Sequence, residues 1–152
     1  MTWKPHATVA VIVEDDHGRF LMVEERSNGR VVFNQPAGHV EENERITDAA
    51  LREALEETGW KIRLDHFLGL YTYTSPANRV TYYRFCFAAT ALSRMTDRLD
   101  DDIIAAHWLE LEELQAKHGE LRSPLVLKCM EDYRSGRRFP LDVIVEPQTP
   151  AA

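Results

Sequence analysis

From about Asn43 to Thr58 the chain reads as one amphipathic helix, and its faces constrain what can surround it. At about 100° per residue, Leu51, Ala54 and Leu55 fall on one side, with Glu53, Glu56 and Glu57 nearly opposite. Gly59 follows as a candidate C-cap. Asn34-Gln35-Pro36-Ala37-Gly38-His39, a loop carrying both Pro and Gly, comes before it. One face is therefore expected to meet a core, leaving a carboxylate face for another purpose. Carboxylates at i, i+3 and i+4 repel one another. Glu53 and Glu57 also lie in the C-terminal half of the helix, where the macrodipole disfavours negative charge. A cation relieves both costs, whereas an acidic helix face standing alone is usually just solvated. Oxygen ligands with room for water suit Mg²⁺, with Mn²⁺ as a second option. Arg52, one turn before Glu56, is placed to orient the acids.

The flanking segments read as strands. Thr8 to Val13 is a β-branched run, Asp15 to Gly18 a turn, and Arg19 to Glu24 a second strand, which predicts a hairpin. Ser27-Asn28-Gly29 makes another turn before Val31 to Phe33. Beyond the helix, Trp60 to Leu64, Phe67 to Thr74 and Val80 to Thr90 read as strands, with Ser75 to Asn78 turning between the last two. Asp97 to Asp102 is an acidic loop and Ala105 to Leu109 a short strand. Leu111 to Lys117 begins a helix, and Ser123-Pro124 starts another that runs to about Tyr133. Two strand-rich halves around a central helix predict an α/β/α sandwich with a mixed sheet. Residues 1–152 are read as a single domain with a frayed tail from about Pro147.

Charge narrows the function classes. With 18 Lys and Arg against 25 Asp and Glu, the net charge is −7. Gripping a nucleic-acid backbone calls for clustered basic charge, so no nucleic-acid partner is expected. A small phosphorylated substrate stays open if metal supplies the positive charge. Cys86 and Cys129 lack any CxxC or Cys/His spacing and read as two buried thiols. The N-terminus lacks the apolar run of a signal peptide, and no apolar stretch approaches the ~18 residues of a membrane span. A cytoplasmic protein without a membrane partner, monomer or homodimer, is expected.

Gly38 to Trp60, GHVEENERITDAALREALEETGW, resembles the Nudix box, G-x5-E-x7-R-E-U-x-E-E-x-G-U with U apolar. Every fixed position matches, with Ala54 and Trp60 at the apolar positions. The resemblance implies a loop-helix-loop box at residues 38–60 within the Nudix-type α/β/α sandwich. It also implies metal-dependent hydrolysis of phosphoanhydride bonds. It gives Glu53, Glu56 and Glu57 as metal ligands, adds a carbonyl of Gly38, and casts Glu44 as a brace for Arg52. One glutamate of the cluster is a candidate base. The family often recruits a further acid from a loop ahead of a strand carrying Trp. Here Asp100-Asp101-Asp102 precedes Ile103 and Trp108, with Asp102 the first choice and Asp100 the second.

Outside the box, KPHATVA, FNQPAGHVE, LRSPLV and YRSGRRFPL resemble a bacterial phosphatase branch of the family. That branch implies release of phosphate from nucleoside tri- and diphosphates and from hydroxymethylpyrimidine diphosphate. The alternatives are a pyrophosphatase for ADP-ribose or dinucleoside polyphosphates, and a non-catalytic ligand-sensing domain. Arg26 and Arg84 are candidates to meet phosphate. Phe33, Tyr71, Tyr73 and Tyr82 are candidates to stack on a heterocycle, and Asn34 and Gln35 to contact ring or phosphate oxygens. His6 and Trp3 carry no assigned role.

Overall fold

A computed structural model describes residues 2–147 of the chain. Its strands are β1 (His6–Val13), β2 (Arg19–Ser27), β3 (Arg30–Asn34), β4 (Ala37–His39), β5 (Trp60–Thr74), β6 (Thr81–Arg94) and β7 (Ile103–Glu110). Its helices are α1 (Ile46–Thr58), α2 (Leu111–Ala116) and α3 (Leu125–Arg134). A four-stranded sheet has the order β4-β1-β6-β5, and a three-stranded sheet the order β3-β2-β7. The larger sheet is mixed: β1 runs parallel to β6, while the other pairings are antiparallel. The tail expected to fray from about Pro147 lies, beyond that residue, outside the described part of the chain. No helix among the described residues is long and apolar enough to cross a membrane.

The period of two along β1 builds the layers. Val9, Val11 and Val13 point into one cluster with Ala49, Ala50 and Ala54 of α1. Ala10 and Ile12 point into the other, with Leu114 of α2 and Val126, Cys129 and Met130 of α3. The result is the α/β/α sandwich with a mixed sheet that the sequence predicts. β2 divides in the same way, with Leu21 toward α1 and Phe20 and Met22 toward α2 and α3.

Four local expectations are corrected. β1 and β2 do not form an extended hairpin ladder; they pair beside the turn, through Asp15 N–H to Arg19 O (2.8 Å) and a single antiparallel bridge between Glu14 and Phe20, and then enter different sheets. β1 is buried on both faces along its second half, so it takes a central place beside β6. Trp60 to Leu64 and Phe67 to Thr74 are one strand, β5, whose register shifts at Leu64/His66 and again at Phe67/Gly69. Helix α1 starts at Ile46 rather than Asn43, because Asn43 is left-handed (φ 63°) and Arg45 extended. Its free N–H groups are met from far along the chain: the Glu146 carboxylate accepts from the backbone of Ile46 and Thr47.

The fourth correction is the face that α1 buries. Ala49, Ala50, Ala54, Glu57 and Thr58 are buried, whereas Leu51 and Leu55 remain 38% and 39% exposed. Strands of both sheets, β1, β2, β4, β5 and β7, contact this helix, so small side chains are needed where it is enclosed. The two leucines lie outside that wedge. Ala54→Leu is therefore expected to destabilise the protein by about 1–3 kcal/mol through overpacking. Leu51→Ala should cost about 0.5 kcal/mol or less. Urea denaturation of the two variants measures the difference, and the opposite ranking would mean the buried face is misassigned.

Candidate active site

Both glycines that bracket the box segment admit a close neighbour. A Cβ on Gly38 would collide with the Glu53 carboxylate, which packs directly against that backbone. Gly59 is left-handed (φ 78°), and its N–H closes α1 on Leu55 O at 2.9 Å. A Cβ there would collide with the carbonyl of Thr96. The loop after β6 can therefore lie on the end of the helix. Met95 N–H donates to Gly59 O (2.8 Å) and Asp100 N–H to Glu56 O (3.0 Å), which carries Asp100 to the helix.

One guanidinium arranges the acids. Arg52 Nε and Nη2 grip Glu44 in bidentate fashion, at 2.7 and 2.9 Å. Nη1 donates to Glu53 (2.8 Å) and Glu56 (3.0 Å), and Nη2 also donates to the His39 carbonyl (2.9 Å). The Arg52 contact holds the Glu44 carboxyl below its ordinary range, and Glu44 in turn raises Arg52. The brace expected of Glu44 is therefore the geometry observed.

The remaining carboxylates are crowded. Oxygens of Glu53, Glu56 and Asp100 lie within 4.8 Å of one another. Burial raises Glu53 against the lowering by Arg52, with Glu56 and Asp100 adding to the rise. Glu57 is buried; one oxygen accepts the Ala37 N–H at 2.8 Å. Burial, reinforced by Glu25, Glu53 and Asp100, pushes it up to about 9. More anionic charge is gathered here than Arg52 alone offsets. An oxygen-only donor set of this kind fits a hard divalent cation.

The acids open into a cleft of about 780 Å³ between the Ser27–Arg30 turn and the Ser75–Asn78 turn. Gly38, Glu53, Glu57 and Asp102 line one part of it, and Asn34, Tyr73, Tyr82 and Arg84 another. Other expected residues face elsewhere. Glu56 stands outside this cleft, on a smaller hollow with Asp100. Among the described residues the oxygens brought within ligand distance are those of Glu53, Glu56 and Asp100, and Glu57 lines the cleft with Glu53. Asp100, the second choice for the further acid, is tied by its backbone N–H to Glu56 O and lies beside Glu53 and Glu56, while Asp102, the first choice, lines the cleft. Asp102 instead presents its carbonyl to Arg26 N–H (2.9 Å) and its side chain to the cleft.

Four substrate candidates, Arg26, Phe33, Gln35 and Tyr71, are not among the residues that line the cleft. Arg26 is exposed and does not line the cleft. Gln35 is fully enclosed, bonded to Val126 O (2.8 Å) and Arg84. Tyr71 bonds Asp132 (2.8 Å) and packs against the α2–α3 cluster. Phe33 is buried, beneath the Lys117 ammonium. Arg26, Phe33 and Tyr71 lie on strands, where the face a side chain takes depends on pairing that composition does not reveal, and Gln35 lies in the connection between β3 and β4. Reasoning from sequence missed Glu25 and Arg122, which meet at 2.6 Å on the cleft wall. They are 97 residues apart, and no local pattern joins them.

This fold and this box define a Nudix hydrolase: the chain belongs to the NUDIX domain family, whose model matches residues 4–129. Phosphatase NudJ of Escherichia coli strain K12 is 43% identical over 145 residues, spanning 93% of this chain and 92% of its own. Phosphatase NudJ of Shigella boydii serotype 4 is 42% identical over 144 residues, with the same coverage. A solved NUDIX hydrolase from Nitrosomonas europaea is 41% identical and superposes with a TM-score of 0.91, covering 97% of this chain and 100% of that one.

The raised Glu57 carries a pH signature in metal-free protein. A carboxyl raised from 4.5 to about 9 contributes stability that is fully present below its unfolded value and is lost as pH rises through its folded one. With chelator present, wild type should become less resistant to urea from pH 5 toward pH 9. Glu57→Gln, uncharged throughout, should flatten that fall. Parallel slopes in the two proteins would show that Glu57 is not held neutral.

Proposed function

We propose that the chain is a Mg²⁺-dependent phosphatase of nucleoside tri- and diphosphates and of hydroxymethylpyrimidine diphosphate. The observation that carries this reading is the cleft, whose carboxylates adjoin a wall of arginine, asparagine and tyrosine. The similarity to proteins named phosphatase NudJ over 93% of the chain supports the same class. The complete box and the family membership leave the non-catalytic sensor reading without support. A small phosphorylated substrate in the cytoplasm, with no nucleic-acid or membrane partner, fits the net charge of −7.

In this reading Glu53, Glu56 and Asp100 hold the cation, with the Gly38 carbonyl and Glu57 as further oxygens at the cleft. Bound there, a divalent ion neutralises phosphate charge and acidifies water. Arg52 keeps the acids in register through its contacts with Glu44, Glu53 and Glu56. Arg84 and Asn34 meet phosphate oxygens, and Tyr73 and Tyr82 pack on the ring. Water attacks the terminal phosphorus, the bridging P–O bond breaks, and orthophosphate separates from the remaining mono- or diphosphate. Asp102, exposed on the cleft wall, accepts the water's proton, with a box glutamate as the second choice of base.

Two measurements test this. With Mg²⁺ and no added phosphatase, the purified chain should release orthophosphate from GDP and hydroxymethylpyrimidine diphosphate while leaving ADP-ribose largely intact. Faster turnover of ADP-ribose would move it to the pyrophosphatase reading. Glu56→Gln should lower kcat by about 100-fold or more, and Asp102→Asn by about 10-fold, with unchanged circular dichroism. If Asp102→Asn turns over like wild type, the base is a glutamate of α1.

A further inference from the structure

We propose that Arg122 joins Arg84 in a phosphate-binding subsite that selects substrates ending in a singly substituted, dianionic phosphate. This rests on the phosphatase reading and names what that reading leaves open, namely how a terminal phosphate is recognised. Arg122 lies on the loop before α3. Its backbone is fixed as an extension of β3: Leu121 bridges Phe33, and Arg122 N–H donates to Phe33 O at 2.8 Å. The side chain is 45% exposed and lines the cleft. Among the described residues its guanidinium has one side-chain partner, Glu25, at 2.6 Å. A guanidinium has five N–H donors, so donors beyond the one given to Glu25 remain for a ligand in the cleft.

Arg84 stands on the same wall and is 6% exposed. Its Nη2 donates to Asn34 (3.1 Å) and to Gln35, while its Nε is buried without a partner. Asn34 joins the two arginines, accepting from Arg84 and donating to Glu25 (3.4 Å). The order along the wall is Arg122, Glu25, Asn34, Arg84.

Glu25 is the informative member. It is buried on a wall it shares with Glu57, and its charge adds to the rise of Glu57. A buried carboxylate facing another acid costs stability unless the surroundings offset it. Here its offset is a guanidinium that reaches the cleft. Glu25 thus acts as an internal anion that holds Arg122 in place until a phosphate competes for it. Near neutral pH a terminal phosphate monoester carries close to two negative charges, since its second ionisation lies near ~6. A phosphate esterified on both sides carries one. Two guanidiniums on one wall favour the dianion, which discriminates against ADP-ribose and dinucleoside polyphosphates.

The test uses the intact protein with Mg²⁺ at pH 7.5 and inorganic phosphate as the calorimetric probe. Arg122→Gln should weaken phosphate binding about 10-fold or more. Glu25→Gln should strengthen it, because the internal competitor is gone; a merely structural ion pair would give loss in both variants or in neither. In turnover, Arg122→Gln should raise KM for GDP by a similar factor with a smaller change in kcat, and should affect ADP-ribose less. Wild-type phosphate affinity in Arg122→Gln, or equal losses for the free-ended and capped substrates, would overturn the subsite. If wild type releases no orthophosphate from GDP, the phosphatase reading fails, and the phosphate titration still decides whether Arg122 binds a dianion.

Discussion

The Arg52 guanidinium is the interaction on which the site depends. It ties four pieces of backbone and side chain together: the His39 carbonyl on the loop, Glu44 before the helix, and Glu53 and Glu56 on it. Without a fixed cation, these carboxylates would spread into solvent to lower their repulsion. With it, they stay close at the cost of partial desolvation, and the raised Glu53 records that cost. A planar fork is needed, because one lysine ammonium cannot serve Glu44 bidentately and still reach Glu53 and Glu56 in a second direction.

The consequences run outward from that knot. Glu53 is pulled against residue 38, so residue 38 must lack a side chain. The helix stops two residues after Glu56, and residue 59 must both adopt a left-handed conformation and admit a backbone carbonyl. The loop seated there delivers Asp100 to the acids. The buried alanine face of α1 belongs to the same logic. A helix that presents chemistry between two sheets cannot also carry bulk toward them, so Leu51 and Leu55 stay at the surface.

This explains which parts were readable from sequence. The box is local, its spacing follows the helical period, and so α1, Gly59, the Arg52 brace and the layered fold were legible. Partners set by distant pairing were not. The hydrophobic period around Leu51 pointed the wrong way, because enclosure by two sheets outweighs side-chain size. Asp100 and Asp102 differ by two residues, and only the backbone tie of Asp100 to Glu56 separates their roles. Glu25 reads as one more charged residue at the end of a strand; its meaning comes from Arg122, placed beside it by a loop that follows β7 and α2.

The charges of the cleft also show how an acidic protein can manage a phosphorylated substrate. The net charge of −7 is spread over the chain, but the cleft lining carries arginines as well as acids. Glu53 and Glu57 lie toward α1, while Arg84 and Arg122 lie on the wall built by β6 and the loop before α3. Neither set favours a diphosphate alone, since the acids repel it and the arginines are partly satisfied by Glu25, Asn34 and Gln35. Binding becomes favourable when a divalent cation offsets the acids, so recognition and reaction call for the same ion. Glu25 sits at the junction, coupled to Glu57 on one side and to Arg122 on the other. A phosphate that reaches this wall must win Arg122 from Glu25. Under the proposed subsite, a dianionic phosphate end does so more readily than a singly charged diester, because it offers the guanidinium more charge.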